Sequence, residues 1–427
     1  MASLGNLAPG VYFQELQGPR SIQFVGTSTA AFVGQAPDAG AHLGEAVAIN
    51  NPSQFAAEFA SGRDAHPTWL SHGVKGFFQN GGSRCFIVNI PDSEPIAGND
   101  RPRTGLRLLE EIDEVAIVAA PGRTDPNSHD ALLSHCEPLG DRFCILDSPM
   151  DVTNTELLKT VETVAIPRRG AGKDKDKDKD KDKDKDMDAA AGGGASDASS
   201  TAAGGLRPRI SQGGYGAFYF PWLYVQDPLN PKGGLVAVPP SGHMAGIYAR
   251  VDNTRGVFKA PANEVVRGAL NLRYRVTSAE QADLNNKGIN CIRFFSTEGI
   301  VVWGARTLAD PSSDQKYVPV RRTTIMIEQS IVRSTRWAVF EPNDRTLWKT
   351  IRSAVTGFLT TVYQNGALMG ATAEEAFFVK CDDETNTDAT INLGEVNTVI
   401  GIALVKPAEF IMFKIGQQAA GADVQTL

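Results

Sequence analysis

Short apolar runs alternate with segments of helical periodicity over residues 21–167, and this alternation limits the fold more than any other feature of the chain. The apolar runs have the length of buried strands and lie at 24–25, 30–34, 85–89, 115–119 and 143–146. The helical segments are bounded by capping or turn residues and lie at 51–59, 69–78 and 127–136. Such alternation predicts an α/β domain with a largely parallel sheet.

Residues 168–208 interrupt this pattern. Lys and Asp alternate strictly from Lys173 to Asp186, and Ala, Gly and Ser dominate from 189 to 205. Neither part can bury apolar surface, so we expect a disordered surface insertion. Closing a loop of about forty residues costs only about 3 kcal/mol. We therefore interpret the segment as a tolerated insertion, with a tether or recognition tail as the alternative.

A second domain, of α+β type, is predicted at 209–395. Dense proline and glycine punctuation over 221–263 indicates a meander of short strands separated by turns. Further along, Ser278 and Gln281 have the spacing of a capping box, which predicts a helix that ends at Lys287-Gly288.

The longest predicted helix begins at Asn343 or Asp344 and ends at Asn365-Gly366. Its apolar residues share one face because they recur every three or four positions; they are Leu347, Ile351, Val355, Phe358 and Val362. Strands are predicted on both sides of this helix, at 289–295, 300–303, 377–381 and 394–405.

The overall charge argues against several classes of partner. The formal net charge is −7 and the isoelectric point is about 5.5, which disfavours nucleic acid and anionic membrane surfaces. The beginning of the chain lacks the charged and apolar regions of a signal peptide, and no stretch approaches about 18 apolar residues. We therefore expect a soluble protein made in the cytoplasm.

The cysteines indicate neither a disulfide framework nor a metal site. They are scattered and odd in number, which fits reduced thiols; they are Cys85, Cys136, Cys144, Cys291 and Cys381. One metal-like group, of His129, His135, Cys136 and Cys144, has no spacing typical of zinc. We predict no bound metal.

An α/β sheet often binds ligands at the carboxyl ends of its strands, so an enzyme remains the competing class. Asp147 and the Pro121-Gly122 turn lie at such ends. The chain, however, has no nucleotide-binding glycine motif, no hydrolase nucleophile motif and no H-E-x-x-H. We predict no catalytic residue and no cofactor, and interpret Asp147 as a helix cap or turn residue.

Several segments of the second half resemble contractile tail sheath proteins, in the order of that family. They are VPPSGHMAGIYARVDNTRGVFKAPAN (238–263), VVWGART (301–307), YVPVRRTTIMIEQSI (317–331), VFEPND (339–344) and PAEFIMFKIGQQ (407–418). The resemblance implies a structural subunit that polymerises into a helical sheath around an inner tube. It also implies a metastable sheath that contracts when a baseplate triggers it, and so drives the tube through a target envelope.

The two ends of the chain are predicted to be arms shared between subunits, an N-terminal linking arm at 1–20 and a C-terminal strand arm at 396–427. Each contains an extended apolar segment without an evident partner in its own chain, and such a segment gains backbone hydrogen bonds at a neighbour's sheet edge. The resemblance favours this exchange. The arm residues are Pro9, Gly10, Val11, Tyr12 and Phe13, and Phe410, Ile411, Met412, Phe413 and Ile415.

A basic stripe on the longest helix is the candidate contact with the inner tube. Arg345, Lys349 and Arg352 lie at i, i+4 and i+7, within about a 60° sector away from the apolar face. A solvated surface stripe is the alternative. The resemblance suggests that a helix of the C-terminal domain lines the sheath lumen, which favours contact with acidic groups of the tube.

The implied partners are other copies of this chain, the inner tube protein, and baseplate and terminal cap proteins. No nucleic acid or membrane contact is expected. Assembly is expected in the cytoplasm, as part of a phage tail or a phage-tail-like particle that in some systems is released outside the cell. A third class, another self-assembling surface protein, would form flat arrays in place of tubes.

Overall fold

The computed structural model describes residues 21–162, 204–227 and 234–412. The strands within these ranges are β1 (Ala30–Gly34), β2 (Ala46–Ile49), β3 (Cys85–Asn89), β4 (Ile117–Ala119), β5 (Phe143–Asp147), β6 (Gly216–Phe220), β7 (Leu223–Gln226), β8 (Leu235–Val238), β9 (Glu264–Val265), β10 (Ala269–Leu272), β11 (Ile289–Phe295), β12 (Gly299–Val302), β13 (Phe377–Lys380) and β14 (Val399–Ile402).

The α-helices within the same ranges are α1 (Pro52–Phe59), α2 (Trp69–Gln79), α3 (Pro126–Leu139), α4 (Glu156–Lys159), α5 (Ser241–Arg255), α6 (Ser278–Asn286), α7 (Val318–Ser334), α8 (Arg345–Gln364), α9 (Ala373–Ala376) and α10 (Asp388–Asn392). Two short 3₁₀ helices lie at Gly105–Glu111 and Arg336–Ala338. No helix in the described ranges is both long enough and apolar enough to span a bilayer.

A nine-stranded mixed sheet forms the centre of the molecule, in the order β2-β3-β1-β4-β5-β6-β11-β12-β9. The strands from β3 to β11 in this order run parallel, while β2, β12 and β9 add antiparallel edges. Alternate residues of one strand point to opposite faces, so Phe32 of β1 enters one apolar core and Val33 enters the other. The α/β prediction for 21–167 holds at this level, with helices covering both faces.

The sheet continues across the boundary predicted at 168–208, so strands on both sides of that boundary share one sheet. β5 and β6 pair in parallel, so a strand after the insertion joins strands before it. Residues 206–207 also bond to 157–162, through Leu206 N–H to Leu157 O and Glu162 N–H to Arg207 O, both at 2.8 Å. Because of this pairing, residues 204–208 belong to the folded body, while the Lys-Asp repeat lies outside the described residues.

The meander predicted over 221–263 is only partly correct. β7 and β8 are strands and form a three-stranded sheet with β10, but residues 241–255 form α5. Residues 241–249 are all buried, and a helix buried on every side has no amphipathic period to reveal it. A Cβ on Gly242 would lie 2.2 Å from the carbonyl oxygen of Gly73 on α2, so the two helices approach this closely only because residue 242 is glycine.

Of the other predicted elements, the β11–β12 hairpin and α6 are confirmed, and one predicted strand is wrong. The β11–β12 hairpin forms as expected. The capping box of α6 uses Thr277 and Glu280, one residue earlier than predicted. Residues 24–25 are not a strand; Val25 N–H donates to Ser330 Oγ on α7 at 3.1 Å, so this segment lies along a helix and not beside a strand.

α8 and the β13–β14 pair enclose a third apolar core. The predicted apolar face of α8 is buried at all five positions, and Asp344 caps the helix by accepting from Leu347 N–H at 2.8 Å. One face of the β13–β14 pair packs on this core; its residues are Phe377, Val379, Ile400 and Ile402. Burial of these two apolar faces against each other stabilises a two-stranded sheet that would be marginal alone.

Candidate functional site

The carboxyl ends of the parallel strands border a cleft of about 630 Å³, where the enzyme alternative would place a ligand. Its charged side chains are engaged within the fold. Arg123 donates to the backbone oxygens of Pro91 and Asp92 at 3.1 and 2.7 Å, and Asp125 caps α3 by accepting from Ser128 N–H at 3.0 Å. Arg123 and Asp125 therefore hold backbone segments in place.

Asp147, interpreted from the sequence as a helix cap or turn residue, bonds to the first residue of α5 from a distant strand, while the N-cap residue of α5 is Pro240. Its carboxylate accepts hydrogen bonds from Ser241 N–H and Ser241 Oγ–H, each at 2.7 Å, and from Gly122 N–H at 3.1 Å. Burial raises the pKa of Asp147 to about 6, although these three hydrogen bonds favour the ionised form. The residue therefore fixes the start of α5 to the ends of β4 and β5.

His129, Cys136 and Cys144, which belong to the metal-like group of the sequence, are buried in the interior of the protein. His129 contacts the Glu162 carboxylate at 3.0 Å through Nδ1 and the backbone oxygen of Asp147 at 3.0 Å through Nε2. Cys136 and Cys144 are buried in the core beside β5. Across the part of the chain that the structure describes, no group of three or more His, Cys, Asp or Glu side chains is placed to hold a metal ion.

The basic stripe lies on the exposed face of α8. Arg345 is 81% exposed and pairs with Asp383 at 2.9 Å. Lys349 and Arg352 are exposed, and neither forms an ion pair with another described residue. An exposed pair such as Arg345–Asp383 contributes only about 0–1 kcal/mol, so the fold itself gains little from the stripe.

Of the predicted C-terminal arm, residues 399–402 belong to the body as β14, whereas residues 410–412 are extended and exposed. Phe410, Ile411 and Met412 are 70%, 75% and 86% exposed, and they form no strand in the isolated chain. The predicted strand at 407–416 is thus absent over 407–412, where no strand among the described residues lies alongside. The other predicted arm residues, which are Pro9, Gly10, Val11, Tyr12, Phe13, Phe413 and Ile415, lie outside the described residues.

The outer face and edge of the β13–β14 pair offer a surface for such an arm. Phe378 and Val399 point away from the core and are about half exposed. Among the described residues, no further strand pairs with the second edge of β13. A sheet edge with free backbone groups beside apolar side chains is suited to strand addition.

Sequence reasoning missed an ion pair between the arm and the body of the subunit. Glu409 forms an ion pair with Arg306, its Oε2 lying 2.6 Å from Nη2. Tyr317 O–H also donates to Glu409 at 3.3 Å. The three residues belong to three separate segments that resemble sheath proteins, and opposite charges in two of those segments were the available signal.

Comparison with known proteins gives the family. The model for the phage tail sheath protein central domain matches residues 108–308, and the model for the phage tail sheath C-terminal domain matches residues 310–418. The tail sheath protein of Salmonella phage ViI is 33% identical over 188 residues, which span 43% of this chain and only 28% of that protein. The chain thus matches less than a third of the length of this curated relative.

Two solved sheath assemblies resemble nearly the whole chain. A chain of the PVC sheath complex, an extracellular contractile injection system in its contracted state, has a TM-score of 0.70 and 27% identity, covering 97% of this chain and 99% of that one. A chain of the contracted helical sheath of the anti-feeding prophage has a TM-score of 0.68 and 29% identity, covering 96% and 99%. The fold and the matched segments define a structural sheath protein rather than an enzyme.

The chain belongs to the contractile tail sheath family. The two family models together extend from residue 108 to residue 418, and the structural likeness includes the α/β region before them.

Proposed function

We propose that this chain is the sheath subunit of a phage tail or phage-tail-like injection particle. It polymerises helically around an inner tube and, on a signal from the baseplate, contracts to drive the tube through a target envelope. The observation that supports this most is the likeness of 97% of the chain to a subunit of a contracted sheath. The free energy of contraction comes from repacking of subunits.

The arms connect neighbouring subunits in this proposal. The C-terminal segment presents Phe410, Ile411 and Met412 to solvent, and the β13–β14 pair presents a free edge. An arm that adds a strand at such an edge buries its apolar side chains and pairs its backbone groups. Subunits linked in this way can rotate and slide during contraction without separating.

The stripe of α8 is the proposed contact with the inner tube. Arg345, Lys349 and Arg352 are exposed on one face of an acidic protein, and Lys349 and Arg352 have no ionic partner among the described residues. Each contact with an acidic group of the tube gives about 0–1 kcal/mol. Because every subunit repeats this contact, the whole sheath binds the tube firmly. Each ring of subunits can still dissociate separately because its own contacts are weak.

The further partners are the baseplate and the terminal cap proteins, since a finite sheath needs a defined beginning and end. Assembly takes place in the cytoplasm, and this subunit does not itself contact nucleic acid or the target membrane.

Truncation of the N-terminal arm tests the proposal. A chain that lacks residues 1–18 keeps every described element, so we expect a folded subunit by circular dichroism that sediments as a monomer. The full-length chain at the same concentration should sediment as large particles. Large tubular particles from the truncated chain would contradict the shared-arm mechanism.

A further inference from the structure

The C-terminal arm is attached to the body of its own subunit before it becomes exposed. After β14 the chain leaves the β13–β14 pair and crosses to the region between α6, β12 and α7. Lys406 Nζ lies 3.0 Å from Asp314 Oδ1 in this crossing. Three residues later Glu409 reaches a second and more enclosed contact.

Glu409 is held by four hydrogen bonds from three side chains. Arg306 donates through Nε at 2.9 Å and through Nη2 at 2.6 Å, one bond to each carboxylate oxygen. Asn285 Nδ2 donates at 2.7 Å and Tyr317 O–H at 3.3 Å. Burial alone would raise the pKa of Glu409, but the bonds from Arg306 and Asn285 hold it below its ordinary value. A two-pronged guanidinium–carboxylate pair fixes direction as well as distance.

The body side of this contact is rigid. Arg306 N–H donates to Oδ1 of the fully buried Asn290 at 2.7 Å, and Arg306 Nη1 donates to the backbone oxygen of Asn285 at 2.9 Å. The Arg306 and Glu409 side chains are only 15% and 20% exposed. In contrast, Lys406 and Asp314 are 52% and 89% exposed, and their pair adds little.

We propose that the Glu409–Arg306 pair is a clamp that sets the direction in which the C-terminal arm leaves the subunit. The clamp delivers Phe410, Ile411 and Met412 to a neighbouring copy of this chain at one fixed position. This inference rests on the proposed exchange of arms between subunits. It adds a specific role for two residues that lie outside the exchanged apolar segment.

The effect on assembly follows from conformational entropy. Without the clamp, the segment 406–409 is ordered only when the arm docks on a neighbour. The entropy lost when a single backbone residue becomes ordered at that step is enough to weaken association about tenfold. A subunit whose arm is already directed avoids this cost, which is the usual advantage of preorganisation.

The motion of the arm in the isolated subunit tests the clamp directly. The five native cysteines are all buried, so Ile411→Cys introduces one accessible thiol for a maleimide dye. In dilute full-length chain, below the assembly concentration, Glu409→Ala should lower the fluorescence anisotropy of the dye. Lys406→Ala, which removes the exposed arm-to-body pair, should leave the anisotropy nearly unchanged.

Assembly of the unlabelled chains tests the consequence. Glu409→Ala and Arg306→Ala should each raise the concentration needed for tube formation about tenfold or more, and the double variant should be no worse than either single one. Lys406→Ala should change it less than twofold. Circular dichroism confirms that each variant is folded; if Arg306→Ala unfolds, Glu409→Gln replaces it, with a smaller increase.

The outcomes separate this inference from the proposed function. If the wild-type chain assembles and Glu409→Ala assembles at the same concentration, or leaves the anisotropy unchanged, the clamp is wrong and the sheath proposal stands. If the wild-type chain never assembles, the proposed function fails, and this inference fails with it.

Discussion

Two buried histidines contribute to the response of the folded chain to acid. Burial and the neighbouring Arg142 lower the pKa of His135 to about 4. Burial, His72 and Lys75 lower the pKa of His243 to about 4 as well. Neither ring nitrogen of His243 has a hydrogen-bond partner, so the neutral ring is accommodated as an apolar group against Gly76.

The sign of the pH effect follows from which state binds more protons. Between about pH 4 and the ordinary histidine value of 6.5, the unfolded chain binds protons at both positions and the native chain does not. Stability therefore falls as pH is lowered through this window, by up to about 3 kcal/mol for each histidine. Asp147, whose pKa rises to about 6, and Glu328, whose pKa is raised by burial, act in the opposite direction.

We therefore predict that His243→Leu weakens the acid sensitivity of the subunit. The free energy of unfolding, measured by urea titration between pH 7 and pH 4, should fall less steeply in this variant because one proton-binding difference is gone. His66→Leu changes an exposed histidine and is the matched control. Parallel pH profiles for the His243→Leu variant and the wild type would show that His243 does not carry this sensitivity.

At the scale of elements, α8 combines a structural face with a face that the fold does not use. Leu347, Ile351 and Val355 are buried in the third core, while the stripe of Arg345, Lys349 and Arg352 is exposed. A change on the exposed face can therefore alter binding to a partner without removing the packing that holds the helix.

Replacing all three stripe residues with glutamate should leave the sheath able to assemble but loosen its hold on the inner tube, because attraction to acidic groups becomes repulsion. The measurement is the amount of tube protein that co-purifies with the sheath, at low and high salt. Glutamate at Arg63, Lys75 and Lys287, which are exposed elsewhere, applies the same change of charge as a control. If both triple variants and the wild type retain equal amounts of tube protein, the stripe does not bind the tube and is only a solvated surface.

The neck of the insertion is a second element with a testable consequence. Residues 157–162 and 206–207 are joined by backbone hydrogen bonds, and Leu206 packs against the core. The two ends of the 163–203 segment are therefore held by the body itself.

Replacing residues 163–203 with a short Gly-Ser linker should preserve the fold and assembly, since the neck contacts remain. The thermal midpoint should change by no more than a few degrees, which corresponds to about 1 kcal/mol. Deleting 157–207 instead removes the neck and Leu206, and should destabilise the subunit clearly. Loss of solubility in the first deletion would mean that the insertion packs on the body.

The sequence predicts those helices and strands whose apolar residues form a recognisable periodic pattern or run. The amphipathic α8 and the apolar strands β3 and β5 were predictable because periodicity and run length carry the information. α5 was not, since its residues 241–249 are buried on all sides and its glycines resemble turn residues. The joining of β6 to β5 was also hidden, because pairing across an insertion of this length depends on tertiary contacts. Of the candidate site, the stripe was predictable, whereas the Glu409–Arg306 pair joins residues 103 positions apart.

At the scale of the whole molecule, the nine-stranded sheet and α7 are joined to the C-terminal arm through one contact. β12 leads to Arg306, which holds Glu409, while α7 follows from Tyr317 at the same place. The nine-stranded sheet, the beginning of α7 and the arm therefore meet at one point of the subunit. A rigid body with directed arms suits a lattice in which subunits change position while they stay connected.

Cryo-electron microscopy of the purified full-length chain, above its assembly concentration, tests the central claim most directly. The account predicts hollow helical tubes in which α8 faces the lumen and residues 407–418 of each subunit contact a neighbour. Monomers, flat arrays, or tubes with α8 on the outer surface would contradict it.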